Sequence, residues 1–419
     1  MIEMNLKNHL KLMVQQVASD LFLSVGAPPG IKIEGRTQYV GSDPLTASEI
    51  EGIAHDLMDD DERAEFARTL EMNLAHSEEG VGRFRVNIYR QRGDVAIAIR
   101  YITERIPAID ELNLPPILRD LIMLPRGLVL IVGSTGSGKS TALASMIDHR
   151  NGLMAGHILS VEEPIEYLHA HRKSIVDQRE IGLDTISYAN ALKNAMREAP
   201  DVIMIGEIRD RETMQAAISY AETGHLCLST LHSNNANQTL ERIINFFPED
   251  ARPQLLLDLS LNLQAVVSLR LLRGVSGHRI PAVEILLKTP YVSDLIAKGQ
   301  VDLLKDAMKE STDIGMQTFD DALFRLYRDG RISYEEAIGH ADSRNDLQLR
   351  IRLSGDLSHA GDEGAAGDMR LEPQAAPVER VDTGIWIEDS LGGQHQHEFA
   401  RRTKPPQAQT ADSPGAGKK

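Results

Sequence analysis

The run Gly133-Ser134-Thr135-Gly136-Ser137-Gly138-Lys139-Ser140-Thr141 holds the groups that a phosphate cradle needs, at the spacing G-x-x-x-x-G-K-S. Glycines let backbone N–H groups turn toward phosphate oxygens, and a helix N-terminus behind them favours anions. Lys139 would reach the β- and γ-phosphates of a nucleoside triphosphate, and the Ser140 hydroxyl would ligate Mg²⁺. Hydrolysis asks for more: a carboxylate to hold the metal through water, a group to orient the attacking water, and positive charge for the transition state. Glu207 follows the apolar run Val202–Ile205 and is the candidate for the metal, with Gly206 where an Asp often stands. Glu162, Glu163 and Glu166 follow a second such run, and any one of them could polarise the water; the residues alone do not rank them. His225 and His232 bracket a third run and could sense the γ-phosphate, with His232, at its carboxyl end, the better placed. No arginine within these runs is obviously placed to supply the charge, since Arg209 is expected to point into a helix start beside Asp210.

These residues need strands that end together. Leu128–Val132 reads as a buried strand feeding the glycine loop, and Thr141 onward as a helix, which is the context the motif requires. Ile158–Val161, Val202–Ile205, His225–Leu231 and Pro281–Leu286 read as further strands. Helical patterns at Tyr188–Glu198, Arg211–Glu222, Asn237–Phe246 and Leu255–Leu272 separate them, which predicts a parallel sheet covered on both faces. In such a sheet the carboxyl ends of the strands form one edge, so the acids and His232 converge there.

Ahead of this core, residues 1–105 predict an α+β domain. It has an amphipathic helix over Leu6–Leu21, short strands at Phe22 and Ile31, helices over Thr46–Met58 and Asp60–Leu70, and a hairpin of Gly82–Tyr89 with Val95–Ile102. A proline-punctuated linker spans 106–125 with one short helix, Ile117–Met123; the core occupies 126–288 and a helical region 289–354. From 355 to 419 Gly, Ala, Pro, Asp and Gln dominate and periodicity disappears, so the tail reads as disordered, with Trp386 a slightly favoured accident over a docking peptide.

Composition narrows the classes. A formal net charge of -16 argues against a general nucleic-acid binder. No stretch approaches the ~18 apolar residues of a membrane span, and the N-terminus lacks a signal-peptide core. The single cysteine, Cys227, excludes an internal disulfide and cysteine-based zinc sites. A cytoplasmic protein is expected, reaching a membrane only through a partner.

Gly133–Ser140, Val161-Glu-Glu-Pro-Ile-Glu166, Ala199–Asp210 and Ala221–His232 resemble the signature motifs of the type II/IV secretion ATPases. Gly315–Asp320 and the short N-terminal domain resemble the twitching-motility branch, the PilT/PilU pilus-retraction ATPases, and the similarity spans about residues 5–345. The resemblance implies a RecA-like P-loop ATPase core with a PAS-like N-terminal domain, assembled as a homo-hexamer in which that domain packs on the neighbouring core. It implies ATP bound by Gly133–Thr141, a catalytic glutamate at Glu166, a Walker B acid at Glu207, and His225 and His232 as the histidine box. It also implies arginines reaching the γ-phosphate from the N-terminal sheet, at Arg85 and Arg100 and less firmly Arg83. Its implied partners are a related retraction ATPase and an inner-membrane platform protein, at the cytoplasmic face of the pilus base. Two departures stand out: Glu163 where the family has Asp, and Tyr291–Lys298 where PilT proteins carry an Ala-Ile-Arg-Asn-Leu-Ile-Arg-like helix. With the long tail, the second departure points to the PilU side of the branch, an accessory retraction ATPase. The alternatives are a secretion motor of the same superfamily and an ATP-binding scaffold for a partner ATPase.

Overall fold

The computed structural model describes residues 6–355, Glu34 and Glu104 excepted. The tail and Trp386, read as disordered, lie outside the described residues from 356 onward. The N-terminal elements are α1 (Leu6–Gln15), β1 (Asp20–Leu23), β2 (Gly30–Ile33), β3 (Arg36–Tyr39), α2 (Ala47–Leu57), α3 (Asp60–Thr69), β4 (Glu71–Glu78), β5 (Gly82–Gln91) and β6 (Asp94–Ile102). The six strands form an antiparallel sheet in the order β3-β2-β1-β6-β5-β4. Thr46 and Asp59 start α2 and α3 through capping boxes with Glu49 and Glu62. On β5 the alternation is clean: Phe84, Val86 and Ile88 are buried against α1–α3, which leaves Arg83 and Arg85 on the opposite face. The helix expected over Leu6–Leu21 stops at Gln15, because Val17 takes a positive φ of 54° and Leu21 is buried from strand β1 instead. Strands β3 and β4 were not legible in the sequence: all four residues of β3 are exposed, and β4 carries a mostly polar sequence.

The core continues with α4 (Ile117–Ile122), β7 (Gly127–Gly133), α5 (Lys139–Leu153), β8 (Gly156–Glu162), β9 (Ser174–Glu180), α6 (Tyr188–Ala195), β10 (Val202–Ile205), α7 (Arg211–Glu222), β11 (Leu226–Leu231), α8 (Ala236–Asn245), α9 (Arg252–Asn262), β12 (Leu263–Arg273) and β13 (Arg279–Leu287). The seven strands lie in the order β13-β12-β7-β11-β10-β8-β9. All seven residues of β7 are buried. Leu128, Leu130 and Val132 face the cluster built with α6 to α9, and Val129 and Ile131 face the one built with α4 and α5. Burial on both faces is why β7 reads as an unbroken apolar run, each such side chain contributing roughly 1.5–3 kcal/mol.

Two expectations fail here. The helix read over Leu255–Leu272 ends at Asn262, and Leu263–Arg273 is strand β12, parallel to β7. Val266 and Val267 are buried on opposite faces of the sheet, so no alternation marked the switch from helix to strand. The sheet is also mixed rather than parallel, since β13 returns antiparallel to β12 at the edge. Strand β9, at the other edge, carries no strand signal in the sequence because its last four residues, Asp177, Gln178, Arg179 and Glu180, are all polar.

Helices α10 (Pro290–Ala297), α11 (Leu304–Glu310), α12 (Phe319–Arg328), α13 (Tyr334–Gly339) and α14 (Arg344–Leu353) make up the helical region. Phe319, Leu323 and Tyr327 of α12 pack on Leu272 and Ala282 of the β12–β13 hairpin. Among the described residues no helix is long and apolar enough to cross a membrane.

Candidate functional site

The glycine loop is the chain between β7 and α5, and its backbone needs glycine where the sequence has it. A Cβ on Gly133 would lie 2.3 Å from Ser137 Oγ and 2.6 Å from the Leu269 carbonyl oxygen. Gly138 takes φ 92°, the left-handed conformation, as it turns the chain into α5. The first N–H groups of that helix therefore open onto the loop, where an anion is favoured.

Lys139, at the head of α5, is buried, and its Nζ donates to the carbonyls of Gly133 and Ser134, each at 3.0 Å. Burial pushes its ammonium below the usual lysine range, while Glu207 and Glu166 act in the other direction. The same Nζ lies 3.3 Å from His232 Nδ1. An ammonium can only donate, so Nδ1 accepts, and the His232 Nε2–H is left to donate to Glu207 Oε1 at 3.2 Å. Glu207 Oε2 accepts from Arg209 Nε at 2.8 Å, and Arg209 Nη1 donates to Glu163 Oε2 at 2.7 Å. One continuous chain of polar contacts thus runs Lys139–His232–Glu207–Arg209–Glu163. Arg209 is accordingly not turned away into the helix start but bridges two of the acids. Its spacing, two residues past Glu207 at the same strand end, was the available signal.

The environments of the three acidic-box glutamates differ, which the sequence could not show. Glu162 is buried, accepts from Ser160 Oγ at 2.7 Å and Gln178 Nε2 at 3.1 Å, and is pushed up to about 7, chiefly by burial. Glu163 is exposed and tied to Arg209. Glu166 is exposed, lines the cleft in front of the loop, and has no side-chain partner among the described residues. Thr135, Gly136, Lys139, Ser140, Glu207 and His232 line the same cleft. The Thr141 hydroxyl instead meets the Tyr167 hydroxyl at 2.9 Å, tying the head of α5 to the acidic-box loop.

Two groups of expected site residues lie elsewhere. His225 precedes β11, and its carbonyl accepts from Gly127 at the start of β7. That is the amino-terminal edge of the sheet, roughly 20 Å along the strand from Gly133 at ~3.3 Å per residue. Its Nδ1 sits 3.1 Å from Thr223 Oγ1 and 3.2 Å from the Tyr220 carbonyl, a local turn contact, so His225 is not part of the cleft of its own chain. Arg85 and Arg100 are cross-strand partners on β5 and β6, and neither lines the cleft. Arg100 Nε donates to Asp20 Oδ1 at 2.8 Å.

The donor set also fits Mg²⁺. Magnesium is held by one or two protein oxygens plus phosphates and waters rather than by an all-protein cage. Ser140 and Glu207, which both line the cleft, are such a set, and no cluster of three or more His, Cys, Asp or Glu ligands occurs among the described residues.

Fold and cleft together define an α/β protein with its site at the carboxyl edge of parallel strands. Residues 93–293 match the family described as Type II/IV secretion system protein. The type IV pilus ATPase PilU of Pseudomonas aeruginosa is 52% identical over 351 residues, covering 84% of this chain and 92% of that protein. The type IV pilus retraction ATPase PilT of the same organism is 38% identical over 334 residues, covering 80% and 97%. A crystal structure of the pilus retraction motor PilT with bound ADP superposes with a TM-score of 0.78 at 38% identity, covering 83% of this chain and 100% of that one. The chain belongs to the type II/IV secretion ATPases, in the branch of the type IV pilus ATPases PilU and PilT.

Proposed function

We propose that this protein hydrolyses ATP to power type IV pilus retraction, working as a cytoplasmic homo-hexamer at the pilus base, on the cytoplasmic face of the inner membrane. The observation that carries the reading is the convergence of Lys139, Ser140, Glu166, Glu207 and His232 on one cleft, in a chain whose relatives are pilus ATPases. The higher identity to PilU than to PilT supports the accessory place beside a related retraction ATPase, with an inner-membrane platform protein as the driven partner.

In this reading residues 126–288 are a RecA-like P-loop core, 1–105 a PAS-like domain, 106–125 their linker and 289–354 a helical region. The triphosphate rests on the backbone of Gly133–Thr141, with Lys139 turned from the loop carbonyls onto the β- and γ-phosphates. Ser140 and Glu207 would hold Mg²⁺, which would supply positive charge to the phosphates. Glu166, unpaired and in front of the loop, orients and polarises the attacking water. His232, between Lys139 and Glu207, reports whether the γ-phosphate is present. Arg85 and Arg100 of a neighbouring subunit supply the remaining positive charge.

ATPase turnover of the purified protein, alone and mixed with a related retraction ATPase, tests the reading, together with twitching in cells lacking the gene. Loss of exoprotein export with intact twitching would reassign the motor to secretion.

A further inference from the structure

Glu166 has no side-chain partner of its own, so its position is inherited from the loop on either side of it. That loop is gripped from strand β9, which none of the signature motifs includes. Gln178 and Glu180 are two apart on β9 and share one face of the sheet. Glu180 Oε2 accepts from the Ile165 N–H at 3.1 Å, the residue before Glu166. Gln178 Nε2 donates to the Tyr167 carbonyl at 2.8 Å, the residue after it. The same Nε2 donates to Glu162 Oε1 at 3.1 Å, and Gln178 Oε1 accepts from the His169 N–H at 2.9 Å. A primary amide has two N–H donors, and both are used. Its orientation is fixed, because a carbonyl can only accept and an amide N–H can only donate. Tyr167 is held further by its hydroxyl contact with Thr141 and by a backbone bridge to Thr103, just past β6 of the N-terminal sheet.

We propose that Gln178 is a positioning residue for hydrolysis: with Glu180 it pins the acidic-box loop immediately before and after Glu166 and so sets where that carboxylate meets the water. The proposal rests on the reading of Glu166 as the residue that orients the water. A misplacement of about 1 Å in a catalytic group costs on the order of a hundredfold in rate, which is the scale at stake.

The test uses the full-length protein with Gln178→Ala, Gln178→Glu, Glu166→Gln and the double variant Gln178→Ala/Glu166→Gln. Gln178→Glu keeps the size and the acceptor for His169 but sets an anion against Glu162 and the Tyr167 carbonyl. Turnover, KM for ATP and thermal melting are measured for each, with binding of a fluorescent ADP analogue. The expected result is a fall in kcat of about 10- to 100-fold in both Gln178 variants, with KM and ADP affinity unchanged. The double variant should be no slower than Glu166→Gln alone, because the positioned group is already gone. An inactive Glu166→Gln beside a Gln178→Glu protein of full kcat would overturn the proposal while leaving the Glu166 reading intact. So would losses that multiply in the double variant, or a KM that rises in step with the fall in kcat. Normal turnover by Glu166→Gln would remove the underlying reading and this proposal with it. If Gln178→Ala does not fold, Gln178→Glu replaces it in both the single and the double variant.

Discussion

Arg85 on β5 and Arg100 on β6 are direct cross-strand partners, on the sheet face turned away from the apolar core of the N-terminal domain. Like charges placed directly opposite each other on neighbouring strands cost stability. Asp20 offsets part of this by pairing with Arg100, whereas Arg85 has no such partner among the described residues. An arrangement that the fold does not need is a reasonable place to look for function. Arg85→Ala should therefore leave the melting temperature unchanged or slightly raised, while the Arg85→Ala/Arg100→Ala protein loses turnover by about 10³-fold or more, the scale of an arginine finger. Mixing it with Lys139→Ala protein should restore turnover in mixed rings, at interfaces that pair intact arginines with an intact lysine. Full activity of the double arginine variant alone would remove both residues from the account.

The separate settings of Glu166 and Glu207 imply separable defects. Glu166→Gln should bind ATP as the wild type does and fail to hydrolyse it, since Glu166 makes no contact that holds the loop. Glu207→Gln also disturbs the His232 and Arg209 contacts, so it should lose turnover and the Mg²⁺ dependence of nucleotide binding together. Titration of a fluorescent nucleotide with and without Mg²⁺ distinguishes the two. Hydrolysis by Glu166→Gln but not by Glu162→Gln or Glu163→Gln would move the water-orienting role within the box.

Burial raises both Glu162 and Glu284 to about 7 from the usual 4.5. A carboxyl whose folded value exceeds its unfolded one binds its proton more tightly when folded, so stability falls as pH rises between about 4.5 and 7. Glu284 sits outside the cleft, accepting from the Ala236 N–H at 2.8 Å and Ser268 Oγ at 3.1 Å. Glu284→Gln should melt higher than the wild type at pH 8 and converge with it toward pH 5, with an effect on the order of a few kcal/mol at most. A pH-independent difference in melting temperature would exclude Glu284 as a source of the dependence.

What was legible in the sequence was what is local. The glycine loop and the ends of β7, β8 and β10 each declare themselves within a dozen residues, because a buried parallel strand is a continuous apolar run and its next residues turn polar. His232 followed from the same reasoning, whereas His225 was paired with it because the two bracket one run, although they lie at opposite ends of the strand. Strand β12 was hidden because it is buried on both faces and continues directly from α9, and β9 because its last four residues, Asp177, Gln178, Arg179 and Glu180, are all polar. The ranking of Glu162, Glu163 and Glu166 was out of reach for a related reason. It depends on Gln178, brought to Glu162 from the paired strand β9, and on Arg209, brought to Glu163 from the end of β10, and spacing along the chain does not encode these two contacts; the Ser160–Glu162 contact within β8 is local but does not by itself rank the three acids.

The most direct test of the account is steady-state ATP hydrolysis by the full-length protein and by Lys139→Ala, with circular dichroism to show that both are folded. Mg²⁺-dependent turnover is expected of the wild type, by itself or with a related retraction ATPase, and a loss of orders of magnitude in Lys139→Ala with an unchanged spectrum. Equal turnover by the two proteins would contradict it, as would a folded wild type that binds ATP and hydrolyses none under either condition.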